Sequence, residues 1–253
     1  MDFEHVKAVF EEYLNGYDRE NDKVKLKIVH TYGVIRCSEE IGRRMGLQAE
    51  DMELAKLIAL LHDIGRFEQL KRFNSFEADT MDHATYGVKV LFEEGMIRQF
   101  IEEDTWDDVI RTAIAKHSDY ELTGITDERT LLHARLIRDA DKLDNCRVKL
   151  EDAMETLLDL SADEVGKYAI SPKVREDAFA GKCICSKDRR TPMDYWVSYV
   201  AYFYDLNFQE TLDIVAEEQY VKRIIGRVPY TNEQTKKTME ELERQLTAYV
   251  RRK

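Results

Sequence analysis

The chain has 253 residues, enough for one domain with a sizeable core or for one domain with a helical extension. Hydrophobic residues make up 43% and charged residues 35%, the balance expected of a soluble globular protein. Three prolines and eleven glycines argue against a many-turned β-sandwich, and a formal charge of -12 disfavours nucleic-acid backbones and anionic membranes as partners.

The start, Met1-Asp2-Phe3-Glu4-His5, lacks the basic and apolar regions of a signal peptide. No apolar run approaches the roughly 18 residues of a membrane span. The four cysteines, Cys37, Cys146, Cys183 and Cys185, form no paired framework. Together these features predict a cytoplasmic protein without a membrane partner. Cys183-Ile184-Cys185 has the wrong spacing for a zinc knuckle, and ordinary buried thiols are expected there.

Helical spacing recurs along the chain. Val34, Cys37, Ile41 and Met45 share one face, followed by Ala55, Ile58 and Leu61, then Ile110, Ala113, Ile114 and His117. Met239, Leu242, Leu246 and Tyr249 mark the last helix. Thr105, Ser161, Thr191 and Thr231 each stand three residues before an acid or amide, as helix N-caps do. Pro172 and Pro192 suit a first helical turn, while Gly46 and Gly95 read as helix stops. Gly181 to Arg190 is polar and irregular, a short hairpin or loop whose basic end, Lys187–Arg190, is either a solvated loop or a cationic lid. The aromatics Tyr195, Trp196, Tyr199, Tyr202, Phe203 and Tyr204 sit at helical spacings, which suits a core stripe or a base-stacking edge. Residues 1–160 read as a catalytic core and 161–253 as a helical extension packed on it, with no flexible linker between them.

Six histidines occur. His62 and Asp63 close the apolar run LIALLHDIGR, and Asp141 lies in LIRDADKLDN. Borderline divalent ions prefer imidazole nitrogen and carboxylate oxygen held on rigid elements. Neighbours on a helix point about 100° apart, so His62 and Asp63 reach one ion only at a helix end, which Gly65 supplies. His30 and Asp141 then complete a four-ligand set drawn from three elements. His5 and His133 match no such pattern and read as ordinary histidines.

The order His30, His62-Asp63 and Asp141, in the strings HTYGVIRCSEEIG, LIALLHDIGRFEQ and IRDADKLDN, resembles the HD superfamily of metal-dependent phosphohydrolases. The resemblance covers roughly residues 26–150 and implies an all-α, HD-domain-like helical bundle. His83 in DHATYGVKVL and His117 in RTAIAKHSD match the additional histidines of two-metal members, which implies a binuclear site. Asp63 would bridge the two ions, with His30, His62 and Asp141 on the first and His83 and His117 on the second. The other reading makes His83 and His117 phosphate contacts around a single metal. The implied cofactor is a pair of divalent ions, drawn from Mn, Fe, Ni, Co, Zn or Mg. Asp63 and Arg66 are the expected catalytic residues. Arg66 suits a bidentate phosphate grip, its bland alternative being a surface salt bridge. Arg138, Lys142 and Asn145 are further substrate-binding candidates, and Asp144 could orient a ligand.

Two departures narrow the implied activity. Alarmone hydrolases of this superfamily carry an acidic pair where this chain has Arg66 and Phe67. The cyclic di-GMP subclass carries a Gly-Tyr-Pro motif, absent from the segment after His117. The expectation is an enzyme that hydrolyses a phosphate ester or anhydride, of a nucleotide or other phosphorylated small molecule, by metal-activated water. A cyclic nucleotide or dinucleotide phosphodiesterase is the alternative within enzymes. A nucleotide-binding sensor that retains the metal site is the alternative outside them.

Overall fold

The computed structural model describes residues 1–77 and 79–251, whose regular elements are all helices, with no strand among the described residues. They divide into two compact units, Met1–Asp144 and Asn145–Lys253.

The first unit is built from α1 (Phe3–Leu14), α2 (Asp22–Met45), α3 (Ala49–Leu61), α4 (Ile64–Phe73), α5 (His83–Val88), α6 (Ile97–Phe100), α7 (Asp107–Lys116) and most of α8 (Glu128–Glu151). The helix α2 starts at Asn21, whose side chain accepts from the backbone of Lys23 and Val24, and stops at Gly46, left-handed at φ 71°. A left-handed residue is sterically costly with a side chain, so Gly46 ends the helix as its sequence position suggests. The helix α3 carries Leu54, Leu57, Ile58, Leu60 and Leu61, all buried. Apolar on nearly every side from Leu57 to Leu61, it packs against both α2 and α7. Burying each of these side chains removes roughly 1.5–3 kcal/mol of unfavourable exposure.

Two local features aim side chains inward. The helix α3 ends as Asp63 leaves helical geometry at φ -106°, ψ 18°, and α4 begins at the next residue. The break therefore falls at His62-Asp63 itself. Gly65 is not the helix end that the sequence suggests: it lies inside the first turn of α4 and permits a close approach. A methyl at residue 65 would stand 2.2 Å from the His83 carbonyl oxygen and 2.7 Å from the Gly87 nitrogen. The other feature follows α5, which runs into a single π-helical turn, Lys89–Glu93, before Gly95 turns the chain at φ 77°. Such wide turns are often found beside functional sites.

The second unit contains the end of α8 and α9 (Met154–Leu158), α10 (Ala162–Val165), α11 (Pro172–Phe179), α12 (Pro192–Ala201), α13 (Gln209–Glu217), α14 (Tyr220–Ile225) and α15 (Glu233–Val250). Ser161 and Thr191 each form a reciprocal capping box, with Glu164 and Asp194 respectively. The other two cap expectations are displaced by one residue. The helix α7 starts after Trp106 with no side-chain cap, and α15 is capped by Asn232, whose side-chain oxygen accepts from the backbone N–H of Thr235. Residues 181–190 form a loop with one 3-10 turn at Ser186–Asp188, not a hairpin. Trp196 and Phe203 of the aromatic stripe are buried core, as are Met193, Ile224, Met239 and Leu246. Cys146 is buried, whereas Cys37 is half-buried and so are Cys183 and Cys185, which are not the buried thiols the sequence suggests. No described helix is long and apolar enough to cross a membrane.

Gly65→Ala must push α5 away from α4. Overpacking of this kind costs about 1–3 kcal/mol, which a denaturant titration reads directly. A variant as stable as the parent would show that the α4–α5 contact yields without cost.

Candidate metal centre

Five places in the first unit converge. His30 comes from the middle of α2, His62 and Asp63 from the α3–α4 break, His83 from the first turn of α5, His117 from the end of α7, and Asp141 from α8. They form two groups, His30–His62–Asp141 and Asp63–His83–His117, whose nearest donor atoms lie within 4.8 Å of one another in each group. Donors about 2.1 Å from a shared ion stand up to about 4.2 Å apart, so small adjustments bring each group to coordinating distance. Asp63 joins the groups. Its Oδ2 is 3.5 Å from His62 Nε2, and its Oδ1 is 3.2 Å from His83 Nε2 and 3.6 Å from His117 Nε2.

Backbone and carboxylate acceptors fix which ring nitrogen faces the centre. His62 Nδ1 donates to the Ala59 carbonyl at 2.8 Å and His117 Nδ1 to the Ile114 carbonyl at 2.7 Å. A carbonyl only accepts, so the proton is on Nδ1 and the Nε2 lone pair points inward. His30 Nδ1 lies 2.8 Å from Asp144 Oδ2, while its Nε2 lies 2.9 Å from Asp141 Oδ1. A carboxylate behind a metal-facing imidazole fixes its orientation and raises its basicity. Gly33 makes this contact possible: a methyl there would stand 1.9 Å from Asp144 Oδ1.

The electrostatics favour a cation at the centre. Asp63 is 3% exposed. Burial pushes its carboxyl up, but the Lys27 ammonium and the rings of His62 and His117 hold it well below the usual carboxylate range. Asp141 is also held low; burial opposes this, and the hydrogen bond and charge of His30 overcome it. Burial, aided by the Arg66 cation, pushes His83 down to about 3, which keeps its ring neutral. Burial works against a charged His62 too, but Asp63 and Asp141 outweigh it and raise the ring above its ordinary value. Ionised carboxylates and neutral imidazoles are the donors that borderline divalent metals take, and a metal displaces any proton held at His62. The buried atoms without a hydrogen-bond partner include His62 Nε2 and Asp63 Oδ1. Leaving such groups unpaired is costly, and a divalent ion would satisfy both. The donor set therefore fits divalent metal.

The remaining candidates are placed as follows. Arg66 Nη2 donates to His83 Nε2 at 2.9 Å, and its Nη1 donates to Gln69 Oε1 at 2.5 Å and to the Phe76 carbonyl at 3.3 Å. It is thus part of a mostly buried network and not an exposed salt bridge. Arg138 is buried, and its Nη1 donates to the carbonyls of Lys116, His117 and Asp119. It closes the end of α7 and so positions His117. Lys142 Nζ reaches the Arg138 carbonyl at 3.5 Å, and Asn145 belongs to the second unit. His5, bonded to the Gln99 carbonyl, and His133, bonded to Asp51, lie outside both groups.

Sequence reasoning missed Lys27, whose ammonium contacts Asp63 Oδ2. A signal existed: Lys27 falls among the buried positions Val24, Thr31 and Val34 of α2, where a charge needs a partner. It also missed Tyr13, whose hydroxyl donates to the Ile64 carbonyl at 2.9 Å and braces the residue after Asp63.

The HD domain family model matches residues 28–146, a span that holds all six candidate ligands. Over that span the chain is similar to the HD domain. Comparison with curated proteins and with solved structures gave no match.

Asp144→Ala should weaken divalent metal affinity about 10–100-fold, measured by competition with a chelating dye. Unchanged affinity would remove Asp144 from any role in orienting His30.

Proposed function

We propose that the HD domain hydrolyses a phosphate ester or anhydride, with a nucleotide or other phosphorylated small molecule as substrate, using two divalent ions. The observation that carries this reading is the pair of three-residue groups joined through the carboxylate of Asp63, with Oδ1 and His62 Nε2 unpartnered. His30, His62 and Asp141 would hold one ion, and His83 and His117 the other, with Asp63 shared between them. Divalent ions held there supply Lewis acidity toward a phosphoryl group and make water a better nucleophile at neutral pH.

The chain's own residues supply the rest. Asp144 and the carbonyls of Ala59 and Ile114 orient three of the four rings. Arg138 holds the end of α7 in place. Arg66, planar and permanently charged, is placed beside Asp63 and His83 to orient an anionic oxygen. The nucleotide part of the reading, and a cytoplasmic location, rest on the family resemblance and the composition.

Assay of the purified protein with Mn²⁺ separates the alternatives. Phosphate released from nucleotides supports the reading, a linear dinucleotide product supports a phosphodiesterase, and tight nucleotide binding without product indicates a sensor. Asp63→Ala should lose both bound metal and turnover, and His83→Ala should fall from two ions to one by elemental analysis. Full activity in Asp63→Ala would refute the assignment.

A further inference from the structure

We propose that Lys27 is a working cation of this site: it holds Asp63 before metal binds, then grips a phosphoryl oxygen of the substrate once divalent ions take that carboxylate. The inference rests on the metal-dependent reading above and adds a residue to it. Lys27 lies just before the residues matched by the HD family model, 28–146.

Lys27 lies on α2 one turn before His30 and is 9% exposed. A buried ammonium is costly to maintain without an opposing charge, and Lys27 has one in Asp63 Oδ2. That oxygen is also the one facing His62 Nε2, at 3.5 Å. A divalent ion among His30, His62 and Asp141 would therefore compete with the ammonium for the same carboxylate oxygen. Arg66 stands in the same relation to the other group, donating to His83 Nε2, a candidate ligand atom. Two donor atoms of the centre, Asp63 Oδ2 and His83 Nε2, are thus each covered by a side-chain cation.

The two cations share a neighbour. Lys27 Nζ is 6.0 Å from the centre of the Phe76 ring, and Arg66 Nη1 donates to the Phe76 carbonyl. Metal binding would displace both from their ligand atoms while leaving them tethered beside the centre. A lysine ammonium on a four-carbon stem can then turn its donors to a new acceptor. Two divalent ions with Lys27 and Arg66 outweigh the carboxylates of Asp63, Asp141 and Asp144 by three positive charges. Within a chain of net charge -12, that local excess favours a doubly charged terminal phosphoryl group over a singly charged diester.

The test measures Mn²⁺ affinity and the affinity of the Mn²⁺-loaded protein for inorganic phosphate, in the parent, Lys27→Met and Lys27→Arg. Lys27→Met should bind Mn²⁺ at least as tightly as the parent, because a competing cation is gone. It should bind phosphate about tenfold more weakly or worse, the loss of one charge-assisted hydrogen bond. Lys27→Arg, which keeps the charge, should retain phosphate affinity within about threefold. Unchanged phosphate affinity in Lys27→Met, or weakened Mn²⁺ binding there, overturns the proposal while the metal-dependent reading stands. A parent protein that takes up no Mn²⁺ overturns both. Should Lys27→Met not fold, Lys27→Gln is judged by the same two measurements.

Discussion

A carboxylate that is 3% exposed cannot stay ionised without positive or hydrogen-bonding partners, and the centre of the first unit is arranged around that constraint at Asp63. Three imidazoles, one ammonium and one guanidinium approach its two oxygens. Coulomb attraction between such close charges is strong where water is excluded. The same arrangement is costly if any partner is removed, because the charge left behind is buried. Stability and function therefore draw on one set of contacts.

The surrounding fold serves to bring these groups within reach of one another. The buried C-terminal part of α3 anchors the unit and delivers His62 at its end. The break at Asp63 lets two consecutive side chains face one place, which a continuous helix would not allow. Gly33 and Gly65 allow close approaches that a methyl would block, one for the Asp144 carboxylate and one for the start of α5. Arg138 and Tyr13 bond to backbone carbonyls at the end of α7 and the start of α4, where single helical turns would otherwise be free to shift.

Much of this was readable from sequence, and the misses have physical causes. Period marks α2, α3, α7 and α15 well, because an apolar stripe must recur every three or four residues. Ser161 and Thr191 cap helices as their spacing suggests, whereas Asn232 takes the place expected of Thr231 because both residue types accept from the same backbone donors. The six candidate ligands, singled out by residue type and order, lie in the two groups of the centre. Lys27 was invisible to that reasoning because helical period indicates a face without saying how deeply it is buried. Gly65 looked like a helix stop, and only the neighbouring α5 reveals that its small size is what matters. Arg138, expected near substrate, donates to three carbonyls at the end of α7, a partnership between segments that no local pattern encodes.

The most direct test is a crystal structure of the protein grown with Mn²⁺, with anomalous differences collected at the manganese edge. The account predicts two anomalous peaks flanking Asp63, each about 2.2 Å from one of its oxygens and from the Nε2 atoms of its group. An ordered site with no anomalous peak near Asp63 would contradict it.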